Sequence, residues 1–406
     1  MNQPHFLFLQ GMQSPFFKRV GKWLEGRNCR VSRINLCMGD WVFWSGKNSL
    51  SFRGKQSEWP DYIKTFMAEN AVTDLVLVGE QRKYHKTAVQ VAQDSGIRVI
   101  VTDFGYLRPD WIALEREGMN GNSLLPRDIR EITALNRQIP VVSLDPLYTD
   151  SEVKMIVNDL LYCCSNLFNP VFFPYYRRSD MRPNPVKGYC YSILKWLKLM
   201  YHYKETKRFV DRIEAGHVNY FLVAMQLEHD FQIVSYSKYR DMVDPLREII
   251  ASFSKHCSGD CDLVIKNHPR DLGIRRWQTM IDQFSREFGV AGRVRFVDGG
   301  TSIDKCLMHA KGLITVNSTA GLRALQLGCP VKNLSDAIYG MQGLTYQGSL
   351  DEFWANPERP DRDNVAHFVN FIASKLHIRG VFFKEPGLNH AVDACARKLY
   401  HQDVGV

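Results

Sequence analysis

The 406-residue sequence predicts an α/β protein of two domains, each an open, mostly parallel sheet covered by helices. Three observations carry this. Short apolar runs alternate with helical patterns through the first third, the alternation stops in a proline- and ring-rich stretch near 166–208, and it resumes near Asn219. A chain of this length buries a full core and still divides in two.

The elements follow in order. His5 to Leu9 is a short apolar run leading to Gly11, after which Ser14 caps a helix and Pro15 takes its first position. CRVSRINL supplies a second strand and DWVFW, residues 40–44, a third. The helix DYIKTFMAEN leads to DLVLVG, apolar almost throughout, as a strand covered on both faces should be. YHKTAVQVAQDSG gives a helix ending at Gly96, and IRVIVTD the next strand. Pro170, Pro174, Pro183 and Pro185 then interrupt any continuous helix. From Tyr189 a helix carries aromatic and aliphatic residues beside Lys195 and Lys198. After Asn219, YFLVAMQ, DLVIKN, RVRFVDG, LITVN and PVKNL read as strands separated by helices, with DNVAHFVNFIASKLHI and NHAVDACARKLY as closing helices. The expected divisions are 1–165, 166–210, 211–350 and 351–406, the last crossing back to brace the first domain. No repeat of solenoid period is evident.

Composition narrows the function classes. Hydrophobic residues at 45% and charged residues at 23% exclude large-scale disorder. Lys plus Arg outnumber Asp plus Glu by 52 to 43, which favours an anionic partner or simply a soluble surface. No helix-turn-helix, zinc-finger or RNA-binding signature accompanies that charge, so nucleic acid is not an expected partner. Ten cysteines occur without a CxxC pair, as expected of buried thiols in a reducing cytoplasm rather than of a zinc site. The start lacks a signal peptide's basic flank, and no apolar run reaches the roughly 18 residues of a spanning helix.

The richest stretch is GLITVNSTAGLRALQLGCP, residues 312–330. A buried strand runs into Asn317, Ser318 and Thr319, and a helix begins directly afterwards. Its first-turn amides, the two hydroxyls and the positive helix end together suit an anion, or the hydroxyls simply cap the helix. Gly321 leaves room for a ligand in the first case. Upstream, Lys266, Asn267, His268, Pro269 and Arg270 follow another apolar strand. In a parallel sheet such strand ends share one edge, where ligands bind. Lys266, His268 and Arg270 can there surround a phosphate, with His268 cationic beside it. Gln226 and Asp230 follow a third strand; Asp230 is a candidate nucleophile, or a helix cap.

The first domain has its own edge, with Gly11, Asn35, Asp40, Glu80, Arg82, Asp103, Arg108, Glu115 and Asn120 at or near strand ends. Glu80 or Glu115 can serve as general acid or base, or hold Arg82 or Arg108 in a structural pair.

Taken in order, FLQGMQSPFF, RINLCMGDWVFW, DLVLVGEQRKYH, FGYLRPDWIALEREGMNGNS, QLEHDFQI, KNHPRD and NSTAGLRALQLGCPV resemble the bacterial capsule polysaccharide biosynthesis proteins. The resemblance runs from about Phe6 to Val331. It implies two Rossmann-like domains in a glycosyltransferase-B arrangement, and a retaining β-Kdo transferase that moves Kdo from CMP-Kdo to a phosphatidylglycerol-based lipid at the cytoplasmic side of the inner membrane. His268-Pro269 and Ser318-Thr319 would hold the CMP part, together with Lys266, Arg270, Asn317 and Gly321. Asp230 would be the catalytic carboxylate in a segment that also holds Gln226. Other members carry an aspartate where this chain has Glu80, and a phenylalanine-glutamate pair near Thr102-Asp103. No cofactor and no metal is expected, since no Asp-x-Asp motif stands in a suitable context. The basic-aromatic segment 166–208 would rest on anionic lipid or pack between domains. A chain-extending Kdo transferase, or a non-catalytic nucleotide-sugar-binding scaffold of a capsule assembly and export complex, are the alternatives.

Overall fold

The computed structural model describes residues 3–178, 185–227, 230–299 and 301–405; Pro183, Glu228 and His229 lie outside them. The chain divides into two compact units. One comprises Met1–Leu125, Gln138–Asp180 and Asn370–Val406, the other Pro126–Arg137 and Met181–Val369. These divisions depart from the sequence-based ones: 126–137 joins the second unit, 166–180 the first, and the return to the first begins at Asn370 rather than 351.

Strands are numbered along the chain. The first unit contributes β1 (His5–Phe8), β2 (Arg30–Asn35), β3 (Ser49–Ser51), β4 (Asp74–Val78), β5 (Arg98–Phe104) and β6 (Trp111–Arg116). The second contributes β7 (Tyr220–Ala224), β8 (Asp262–Lys266), β9 (Val294–Val297), β10 (Leu313–Thr315) and β11 (Val331–Asn333), and β12 (His377–Arg379) returns to the first sheet. The sheet orders are β12-β6-β5-β4-β1-β2-β3 and β11-β10-β7-β8-β9. Numbered from its own first strand, each unit has a parallel core in Rossmann order, 3-2-1-4-5. In both sheets the order reverses beside the first strand: between β1 and β4, and between β7 and β10.

Patterning explains most of this. All five residues of β4 and of β7 are buried, as strands covered on both faces require. The helix Phe16–Glu25 buries Phe16, Phe17, Val20 and Leu24 on one face. Against it lies the C-terminal helix Gly387–Tyr400, where Trp23 Nε1 donates to Asp393 Oδ1 at 3.0 Å.

Three local expectations fail. Residues 40–44 are not a strand, because Met38–Phe43 forms a helix whose buried Asp40 receives the Leu36 amide at 3.0 Å. The closing helix stops at Lys375, and His377–Arg379 pairs antiparallel with β6 as an edge strand. The helix expected from Tyr189 begins earlier and spans Pro185–Glu214, with proline tolerated in its first turn.

Candidate functional site

The carboxyl edge of the second sheet gathers the predicted donor residues around its reversal point. Gln226 follows β7 and Asn317 follows β10, and the two clasp each other. Gln226 Nε2 donates to Asn317 Oδ1 at 2.9 Å, and the Asn317 amide donates back to Gln226 Oε1 at 3.1 Å. Asn317 Nδ2 also donates to the Gln232 carbonyl at 2.8 Å. Both side chains are buried. They tie the β7 and β10 loops together, so Gln226 and Asn317 position the site's loops.

Asp230 is half-buried and caps the helix Phe231–Tyr236, its Oδ1 accepting from the Gln232 amide at 2.9 Å. The Ser318–Thr319 turn lies on the other side of the clasp. Ser318 Oγ accepts from the Ala320 amide at 3.2 Å, and the Ser318 carbonyl accepts from the Gly321 amide at 2.9 Å. The amide cradle expected here is thus partly spent within the turn. What the turn presents outward is the exposed Thr319 and the half-buried Ser318. Gly321 does not make room for a ligand. A Cβ there would overlap the Tyr339 hydroxyl, which donates to the Ser318 carbonyl.

The loop after β8 is organised by two residues that composition did not single out. Asn267 Oδ1 accepts from the His268 amide at 2.8 Å, and Asp271 Oδ2 accepts from Asn267 Nδ2 at 3.2 Å and from the Gly273 amide at 3.0 Å. His268 Nδ1 accepts from the Arg270 amide at 3.1 Å. With Nδ1 accepting, Nε2 is the ring nitrogen left to donate. Pro269 and Arg270 are exposed, whereas Lys266 is buried beneath the edge. Burial pulls its ammonium below the ordinary lysine range, opposed by the Asp298 carboxylate. Since β7 lies between β8 and β10, the His268 loop and the Ser318 turn flank Gln226 and Asp230, their strands about 10 Å apart.

Lys195 belongs to the segment expected to rest on anionic lipid or to pack between domains. It faces inward. Its Nζ donates to the Asp271 carbonyl at 2.9 Å and pairs with Asp271 Oδ2 at 3.3 Å and Asp298 Oδ1 at 3.0 Å, pinning its helix to the loops after β8 and β9.

In the first unit the predicted residues separate into buried supports and exposed groups. Asn35 and Asp40 are supports. Arg33 Nε donates to Asn35 Oδ1 at 2.9 Å, Gln10 Nε2 donates to Asp40 Oδ2 at 2.9 Å, and Arg33 pairs with Asp40 at 3.6 Å. Gly11 admits the Phe17 ring, which a Cβ would approach to 2.5 Å. Glu115 lies in β6 and is almost wholly buried; its Oε1 accepts from Tyr106 Oη at 2.6 Å and its Oε2 from Ser123 Oγ. The Asn120 amide, at φ +53°, donates to the same Tyr106 hydroxyl at 3.0 Å. Glu80, beyond β4 and next to the reversal point, accepts from the Met119 amide and Asn122 Nδ2, both at 3.3 Å. Three others are less buried. Arg82 Nε and Asp103 Oδ2 come within 3.7 and 3.9 Å of where a Cβ on Gly79 would stand, and exposed Arg108 lies 5.2 Å from the Phe104 ring.

Arg33, Tyr106, Asp271 and Tyr339 are the structural residues that sequence reasoning missed. Asp271 alone carried a signal, an acidic residue four places after Asn267. Among the described residues no cluster of three or more His, Cys, Asp or Glu is arranged to hold a metal ion, and no helix is long and apolar enough to cross a membrane.

Comparison with known proteins adds to this geometry. The family model described as capsule polysaccharide biosynthesis protein matches residues 73–383. The chain is 30% identical over 384 residues to the capsule polysaccharide export protein KpsS of Escherichia coli, covering 93% of this chain and 96% of that one. It is 28% identical over 392 residues to the capsule polysaccharide modification protein LipB of Neisseria meningitidis serogroup B, covering 94% and 92%. The solved β-Kdo 2,7 transferase of Thermosulfurimonas dismutans KpsC superposes with a TM-score of 0.47 at 13% identity, over 97% of this chain and 99% of that one.

Proposed function

Because this chain belongs to the capsule polysaccharide biosynthesis protein family, we propose that it is a retaining β-Kdo glycosyltransferase, moving Kdo from CMP-Kdo to a phosphatidylglycerol-based lipid. One observation supports this above the rest: Asp230, the His268 loop and the Ser318–Thr319 turn share one sheet edge, at the reversal point where α/β sheets bind ligands.

In the proposed reaction the Asp230 carboxylate attacks C2 of Kdo. The C2–O bond to phosphate breaks and CMP departs with the electron pair. His268 Nε2–H, Arg270 and the Thr319 hydroxyl donate to the leaving phosphate, and no metal enters the scheme. An acceptor hydroxyl then attacks C2 from the face the phosphate left. Its proton passes to a general base as Asp230 is released, so two inversions give net retention. Such an enzyme would work at the cytoplasmic face of the inner membrane, beside the other proteins of capsule assembly and export.

The test is incubation of the purified chain with CMP-Kdo and a phosphatidylglycerol acceptor, following CMP release and lipid-linked Kdo, with and without EDTA. Equal transfer in both is expected; a rate that collapses with EDTA overturns the metal-free scheme. The cap bond made by Asp230 favours a second reading, in which that carboxylate is structural and the chain is a nucleotide-sugar-binding scaffold. CMP-Kdo binding without CMP release would select it.

A further inference from the structure

A surface helix normally turns its apolar stripe toward the core. In the first unit, the helix Glu152–Ser165 turns most of its apolar side chains outward. Inward, Met155 packs on the core and the Tyr162 ring on Gly39, while the other contacts are polar: Asn158 Nδ2 donates to the Gln13 carbonyl at 2.8 Å, and the Tyr162 hydroxyl lies 3.3 Å from Gln10 Nε2 and 3.2 Å from Cys37 Sγ. Just beyond the helix, Asn166 and Asn169 accept the Gly39 and Met38 amides at 2.9 and 2.8 Å. Its outward stripe is Val153, Ile156, Val157, Leu160 and Leu161, all exposed. The chain continues into Leu167, Phe168, Val171, Phe172 and Tyr175, also exposed, with Leu167 at 76% and Val171 at 75%. Ten exposed apolar side chains within 23 residues form far more than scattered surface hydrophobes.

Cations rim this face. The Arg53 guanidinium stands 6.0 Å from the Phe173 ring and the Lys55 ammonium 5.9 Å from the Tyr175 ring, and Arg177 and Arg178 are exposed directly after Tyr176. Glu58, Glu152 and Asp159 are the carboxylates carried by the same elements. An apolar ridge that ends in aromatic rings and is flanked by four cations matches the boundary between acyl chains and anionic headgroups. We propose that this face docks the first unit on an anionic lipid bilayer. It deepens the transferase reading, and rests on it only in that a lipid acceptor would need such a surface. The face is held by the loops after β1 and β2, at the carboxyl edge of that sheet.

Docking is tested without catalysis, by cosedimentation with vesicles of phosphatidylcholine alone or with phosphatidylserine at about a third of the lipid. Phosphatidylserine is anionic but lacks the terminal glycerol of the proposed acceptor. The wild type is expected to bind the anionic vesicles, weakening as salt rises. Leu167→Ser/Phe168→Ser/Val171→Ser is expected to weaken binding about tenfold or more, and Arg177→Glu/Arg178→Glu to remove the salt dependence. Circular dichroism checks that the variants fold, and Ile156→Ser/Val157→Ser/Leu160→Ser gives an independent second reading. Equal binding by wild type and both apolar variants overturns the proposal. So does binding by none of them, or a wild-type dimer that the variants convert to monomer with no change on vesicles. Transfer to a short-chain, water-soluble phosphatidylglycerol should survive the Leu167 variant, so loss of docking and failure of the transferase reading give different results.

Discussion

At the scale of single residues, Asp230 carries two duties that one substitution can separate. Its carboxylate caps a helix, and asparagine caps nearly as well but cannot form a glycosyl ester. Asp230→Asn should therefore keep its unfolding midpoint, while Asp230→Ala should lose about 1 kcal/mol. If Asp230 is the nucleophile, both variants lose transfer by roughly 10³-fold or more while still binding CMP. Steady-state rates beside urea titrations decide it. Transfer by Asp230→Asn within a few-fold of wild type leaves the residue only its cap. The sequence offered both roles for this residue because the two chemistries use one side chain at one position. No pattern of neighbours tells a capping carboxylate from an attacking one.

At the scale of elements, the lesson lies in what anchors what. The two Rossmann cores were legible because their buried strands are continuous apolar runs closed by turn residues, as in DLVLVG and LITVN. Residues 40–44 misled because aromatic and β-branched residues suit strands, while the Asp40–Arg33–Gln10 network that holds them in a helix comes from distant chain. The helix Pro185–Glu214 shows the same limit. Its lysines and rings suit a lipid surface or interdomain packing equally, yet Lys195 is committed to Asp271 and Asp298, partners found only through the fold. Its substitution should thus act on the second unit and not on membranes. Lys195→Ala leaves two carboxylates without their shared cation, and should destabilise that unit by roughly 1–3 kcal/mol. Vesicle binding should stay unchanged. Hydrogen exchange at Asp271–Gly273 is the direct readout, and unaltered protection there would show that the pair does not hold the loop. The Gly321 error has the same origin, since the ring of Tyr339 that fills its space arrives from 18 residues downstream.

At the scale of the whole molecule, the first unit contains a built-in sensitivity to acid. His85 is wholly buried; its Nδ1 donates to the Val78 and Gly79 carbonyls, both at 3.0 Å, and among the described residues its Nε2 has no hydrogen-bond partner. Burial, aided by the charges of Arg82 and Arg33, pushes its pKa down to about 3. His377 in β12 is held by the Ile372 carbonyl at 2.7 Å and the Tyr106 amide at 2.9 Å, and burial lowers it to about 4. For a base whose folded pKa is depressed, the unfolded chain binds more protons between the two values, so stability rises with pH across that window. The window runs from the ordinary 6.5 down to about 3 for His85 and about 4 for His377. Between pH 7 and pH 5 each imidazole should remove about 2 kcal/mol of folding free energy. The protection of amides in β4 and β5 should fall accordingly, read against β7 and β8 as the internal reference. His85→Asn keeps a donor for the two carbonyls but does not titrate, and should cut the pH slope of β4 by about half. An unchanged slope in that variant would mean that His85 carries its proton in the folded chain, against the burial that keeps it neutral.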